Sequence, residues 1–211
     1  SLMEDLIKFA INTAQDAGAN WAEARYASED VTSFHYNNDV PVSSYYTEDK
    51  SIFVRFITRN SMGTVFVSEP TREKISSMIK KQVRISKAAS RINQEVFKFS
   101  DEKSYQKKYS VKEKIKLSSI SDEEKSKTIL DIYKTLNKLE SFESSSIGLT
   151  TKFTNKQYLN SDGSNIISKI PEMSMNYFFT VKANGNITQR MNYLAGKGGW
   201  ETVKNWNLNK T

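Results

Sequence analysis

The chain has one histidine, His35, and no cysteine, and these two counts limit its chemistry first. Catalytic zinc ordinarily takes three protein ligands, usually with two or three histidines among them, so a self-contained zinc site is not expected. The lack of cysteine removes disulfides, thiolate ligands and a cysteine nucleophile, and suits a reducing compartment. Ser33 and His35 would share one face of a strand, but serine catalysis also needs an orienting carboxylate and oxyanion donors. His35 is therefore expected at a sheet surface or edge. Adjacent acids occur at Glu29-Asp30, Glu48-Asp49, Asp101-Glu102 and Asp122-Glu123-Glu124. Strand neighbours point to opposite faces, and acids opening a helix favour its dipole, so these pairs read as solvated or capping groups rather than a glycosidase pair.

Three further stretches invite a ligand. Gly196-Lys197-Gly198-Gly199 lacks the glycine spacing of a phosphate loop and the Ser or Thr after its lysine, and Trp200-Glu201 does not resemble a helix opening. It reads as a flexible strand end or domain junction. Lys80, Lys81, Arg84 and Lys87 gather on one helix face, and Tyr105 and Tyr109 interleave with Lys103, Lys107 and Lys108. This pattern could engage nucleic acid, yet a solvated face explains it without any recognition motif. The last stretch, NKQYLNSDGSNI (155–166), packs a hydroxyl, amides and a carboxylate around Gly163 between strand-like segments. Glycine accepts positive φ, so a hairpin turn is expected, with Asn160, Ser161 and Asp162 satisfying local backbone groups.

The elements that must carry these residues follow from periodicity. Met3, Leu6, Ile7, Ala10, Ala14 and Ala17 recur at helical spacing before Gly18, which marks a helix over 3–17. Residues 21–36 alternate as a strand, with a break expected near Glu29-Asp30. SIFVRFITRNSMGTVFVSE (51–69) reads as a hairpin around Arg59-Asn60-Ser61. A second helix is expected from Thr71 to about Arg91 on Ile75, Met78, Ile79 and Val83. A long basic loop, about 92–120, shows no sustained period. Ser121 and Glu124 form a capping box ahead of a third helix bearing Ile129, Ile132, Tyr133, Leu136 and Leu139. Strands then follow at 144–154, 156–159, 166–170, 173–183 and 187–194, separated by Asn-Ser-Asp-Gly, Pro171 and Asn184-Gly185-Asn186. The expected class is α+β: a curved, mainly antiparallel sheet with two or three helices packed mostly on one face.

The formal charge of +7 is uneven. Residues 1–71 hold five basic and ten acidic side chains, 72–127 hold sixteen and eight, and 128–211 hold ten and six. The middle is therefore where a polyanion would be drawn, if anywhere. No apolar run reaches the length of a membrane span, so a soluble, cytoplasmic protein with no membrane partner is expected.

The order of AGANWAEARY (17–26), SIFVRFITRNSMGTVFVSE (51–69), the helix ending ISKAAS (85–90), DEEKSKTIL (122–130) and YLNSDG (158–163) resembles the N-terminal half of the TldD/PmbA family. That family is also described as modulators of DNA gyrase, and its active members are zinc metallopeptidases. The resemblance spans nearly the whole chain. Ser51-Ile52-Phe53, where the family tends to glycine, and the lysine-rich loop depart from it. It implies an N-terminal domain over 3–199, with 200–211 opening a linker toward a C-terminal half carrying HExxxH and a cysteine ligand. On that reading the chain holds no catalytic, cofactor or metal residue and is inactive alone, while zinc belongs to the complete protein. Its expected partners are a peptide or unfolded-protein substrate and a second subunit, as homodimer or family-paired heterodimer. A metal-free partner subunit that presents peptides, and a nucleic-acid-binding module, are the alternatives.

Overall fold

The computed structural model describes residues 2–92, 96 and 103–208. Its elements are α1 (Leu2–Asp16), β1 (Trp21–Asn37), β2 (Val40–Thr58), β3 (Ser61–Ser68), α2 (Arg72–Ala89), β4 (Gln106–Ser110), a 3-10 turn (Leu117–Ser119), α3 (Asp122–Leu136), β5 (Phe142–Asn160), β6 (Asn165–Ala183), β7 (Asn186–Lys197) and α4 (Glu201–Asn205). Strand order is β3-β2-β1-β5-β6-β4, with β7 also paired to β6. The expected α+β class with a curved antiparallel sheet is the one observed. The chain forms two compact units, the first comprising Ser1–Glu29, Asp49–Tyr109 and Asn155–Lys169, the second Asp30–Glu48, Ser110–Thr154 and Ile170–Thr211.

In the first unit, helical spacing brings Leu6, Ile7, Ala10, Ile11 and Ala14 of α1 and Ile75, Ile79 and Val83 of α2 into one core. Strand alternation supplies the opposing layer: Ala22, Ala24 and Tyr26 from β1, Ile52, Val54 and Phe56 from β2, Val65 and Val67 from β3. Gly18 ends α1 at φ +109°, its amide bonding Gln15 O while the Ala19 amide reaches Ala14 O, both at 2.9 Å. That is the paired C-terminal closure for which glycine's freedom at positive φ is needed. Thr71 Oγ1 caps α2 by accepting from the Lys74 amide at 3.2 Å. Met78, expected on the buried stripe, is exposed. The stripe continues instead from Val83 to Ser86, whose hydroxyl meets that of Thr58 at 2.6 Å. The β2–β3 hairpin pairs Thr58 with Ser61, so its tip is Arg59-Asn60, with Arg59 at φ +49°.

The second unit gathers Ile129 and Ile132 of α3 with Ile147 and Leu149 of β5 and Met173, Met175 and Tyr177 of β6. Ser121 Oγ accepts from the Glu124 amide at 3.2 Å, as a cap should. Leu139, expected on this helix, lies beyond its end at Leu136 and is exposed.

Three expectations about strands are corrected. β1 runs unbroken through Glu29-Asp30, and β5 is one strand where two were expected. β6 passes through Pro171, because the β6–β7 ladder opens only at Glu172↔Lys197 and leaves the missing N–H outside it. The Pro171 carbonyl still accepts from the Gly198 amide at 3.1 Å. Asn184-Gly185 closes that ladder with both residues at positive φ, +52° and +80°, the twist-matched two-residue turn.

The region after strand β7 differs most from expectation. Trp200, although it did not read as a helix opening, precedes α4 and is buried in the core with Val203, with Trp206 and Leu208 packed against it. Of the basic loop, residues 93–95 and 97–102 lie outside the described residues, while 106–110 form β4 and Leu117 is buried. Glu201 holds the end of this segment. Its carboxylate accepts from the Lys114 and Ile115 amides at 3.0 and 2.9 Å, and these backbone bonds pull its pKa down to about 2. A Cβ on Gly199 would collide with Ile115 O, which explains the glycine. A carboxylate whose folded pKa is depressed adds stability above its unfolded pKa and loses it as pH falls toward the folded value. Glu201→Gln is therefore expected to flatten the stability-versus-pH curve between about pH 4.5 and 2, read by urea midpoints across that window. An unchanged acid dependence would refute the assignment.

Candidate functional site

The AEAR segment of β1, the VRF segment of β2 and the YLNSDG end of β5 are far apart in sequence and meet in the first unit. Alternation explains which side chains meet. Ala22 and Ala24 enter the core, so Glu23 and Arg25 point to the other face; Val54 and Phe56 do the same for Arg55, and Leu159 for Tyr158.

Glu23 is the centre of this face. Its side chain is only 4% exposed and its Oε1 lies 2.7 Å from Arg55 Nη2. That contact falls outside hydrogen-bond alignment, so it acts mainly through charge. Tyr158 donates its hydroxyl to Glu23 Oε2 at 2.8 Å and accepts from Asn160 Nδ2 at 3.3 Å. The Arg25 guanidinium lies 5.4 Å from the Tyr158 ring centroid, in cation–π range. Burial first, then the hydrogen bond and charge of Glu23, push the Tyr158 pKa up to about 12, while Asn160 and Arg25 oppose the shift. Tyr158 is thus a lasting donor at neutral pH.

The adjoining turn fixes β5 against β1. Asn160 Oδ1 accepts from the Asp162 and Ser164 amides at 3.1 and 2.9 Å, the local role expected of it, and Gly163 stands at φ +92°. Ser161 and Asp162 reach further than expected. The Ser161 hydroxyl accepts from the Ala22 amide at 3.0 Å, and Asp162 Oδ2 accepts from the Trp21 indole at 2.6 Å. The polar stretch is a turn clamped to β1, beside the charged cluster.

The other candidates stay apart. In the second unit Ser33 pairs with Thr150 and His35 with Ser146, both at 2.9 Å, so the two do not form a nucleophile–base pair. Asp122, Glu123 and Glu124 occupy the first turn of α3; Glu48-Asp49 lie in β2, and Asp101-Glu102 lie outside the described residues. Lys80, Lys81, Arg84 and Lys87 are exposed along α2, and Lys107 lies 5.1 Å over the Tyr105 ring. Among the described residues no group of three or more His, Asp or Glu is placed to hold a metal ion, and no helix is long and apolar enough to cross a membrane. Sequence reasoning used Glu23, Arg25, Arg55 and Tyr158 only as marks of a resemblance. The available signal was a charge at the outward positions of β1 and β2, between residues that enter the core.

No family model matches the chain. In sequence it is similar to a metalloprotease of Methanocaldococcus jannaschii, 27% identical over 158 residues, which cover 75% of this chain and 35% of the relative. In structure it is similar to two proteins named "putative modulator of DNA gyrase". The one from Thermotoga maritima gives a TM-score of 0.73 at 12% identity, over 98% of this chain and 45% of that protein. The one from Bacteroides thetaiotaomicron gives 0.67 at 16%, over 92% and 44%. TldE from Thermococcus kodakarensis gives 0.67 at 15%, over 92% and 43%. At these identities the solved structures speak to the fold, and the chain spans less than half the length of each of these four proteins. These names agree with the TldD/PmbA resemblance, three of whose segments, AGANWAEARY, SIFVRFITRNSMGTVFVSE and YLNSDG, meet around Glu23.

Proposed function

We propose that the chain is the non-catalytic N-terminal domain of a TldD/PmbA-like zinc metallopeptidase of the cytoplasm, shaping the peptide cleft and the dimer while HExxxH lies outside these residues. The observation that carries the reading is the match along three quarters of the chain to a metalloprotease of which it covers 35%. A physical route for peptide capture supports it. In the second unit β7, Asn186–Lys197, is paired to β6 and stands as an exposed strand with Ile187, Met191 and Tyr193 open to solvent. An extended peptide that adds to such an edge gains backbone hydrogen bonds with little demand on its sequence. The complete protein is expected to cleave unstructured peptides, to lose that activity to a chelator and to regain it with zinc, while the 211-residue chain alone cleaves nothing. Chelator-insensitive cleavage by this chain would overturn the proposal, as would a complete protein without peptidase activity.

A further inference from the structure

The sheet face that carries Glu23 presents one arginine, Arg25, that no carboxylate among the described residues engages. Glu23 engages the Arg55 guanidinium on one side and the Tyr158 hydroxyl on the other. Arg25 is exposed, rests over the Tyr158 ring and has no carboxylate partner among the described residues. Arg55 keeps a third of its side chain exposed. Arg55 is oriented by the buried Glu23 carboxylate, and Arg25 lies in cation–π range of the Tyr158 ring.

A guanidinium held over an aromatic ring still presents a planar fork that matches a carboxylate. The class of anion follows from Glu23. A phosphate chain needs successive cations along its track and would meet a fixed negative charge at the centre of this one. A single carboxylate can approach Arg25 from solvent, with Glu23 shielded behind Arg55 and Tyr158.

We propose that Arg25, in cation–π range of Tyr158 and backed by the Glu23–Arg55 pair, is a carboxylate-recognition site that favours acidic peptide segments. The proposal rests on the peptide-binding reading above and adds to it a preference in substrate class. The carboxylate can come from an Asp or Glu side chain or from a peptide C-terminus, which share the same chemistry.

Calorimetric titration of the 211-residue chain with unstructured peptides tests it. One set carries N-acetyl and C-amide caps and differs only in a central Glu, Gln or Lys. A further Gln peptide has a free C-terminal carboxylate. The Glu peptide is expected to bind about two- to fivefold more tightly than its Gln isostere, the scale of an exposed charge-assisted pair. The free-carboxylate peptide reports whether a terminus is read in the same way. In Arg25→Gln the Glu-to-Gln affinity ratio should fall to about one, and in Arg25→Lys it should be intermediate, since lysine keeps the charge without the planar fork. An unchanged melting temperature in Arg25→Gln separates lost recognition from lost folding. Equal binding of Glu and Gln peptides, or discrimination that survives Arg25→Gln, overturns the inference and leaves the peptide reading standing. Failure of all the peptides to bind overturns both. A single-stranded oligonucleotide that outcompetes the Glu peptide and depends on Arg25 overturns it in favour of phosphate.

Discussion

Replacing Glu23 with alanine is expected to cost about 2–3 kcal/mol of folding stability, measured as a shift in the urea unfolding midpoint. The side chain is 4% exposed and is shared between the Arg55 guanidinium and the Tyr158 hydroxyl, so its removal takes a charge partner from Arg55 and an acceptor from Tyr158. A fully buried pair broken on one side loses ~3–5 kcal/mol. Arg55 retains a third of its exposure, so water recovers part of its solvation and the expected loss is smaller. Arg55→Ala should also destabilise, because it strands the Glu23 carboxylate in a nearly dry site. The double variant should cost less than the two single changes added together, since neither leaves the other unpaired. A Glu23→Ala effect below about 0.5 kcal/mol, the range of ordinary surface changes, would refute the assigned role.

Trp200→Ala is expected to be the costlier change, at about 3–5 kcal/mol for a buried tryptophan replaced by alanine. Trp200 is 2% exposed and lies in the core of the second unit beside Val203. Its amide also donates to Ile115 O at 2.9 Å, tying α4 to the end of the basic loop. Were 200–211 only the opening of a linker, the substitution would shift the urea midpoint within surface noise. Tryptophan emission offers a second readout, because Trp200 should contribute a blue, quencher-protected component that the variant loses.

These residues show where sequence reasoning succeeds and where it stops. Ile75, Ile79 and Val83 form a legible stripe because a helix repeats its burial every three or four positions, and Ser121 announces α3 because its cap is a local bond. Strand limits were harder to read. β2 begins at Val40, ahead of the expected hairpin, because residues 40–49 are exposed throughout and carry no burial alternation. Pro171 looked like a strand end because its sequence neighbours do not reveal which side of β6 bears the β7 ladder.

The charged cluster marks the same boundary. Each of its members was visible alone, as an outward residue between two inward ones, and the class of fold and the hairpin turn at Gly163 followed from composition and period. The sequence by itself also determined which side chains are available: one histidine, no cysteine and a basic middle. Tertiary structure decided which of them meet. Glu23 lies 32 positions from Arg55 and 135 from Tyr158, and no local spacing encodes that encounter. Strand pairing sets it, and the side chains converge because each strand has already committed its alternate residues to the core.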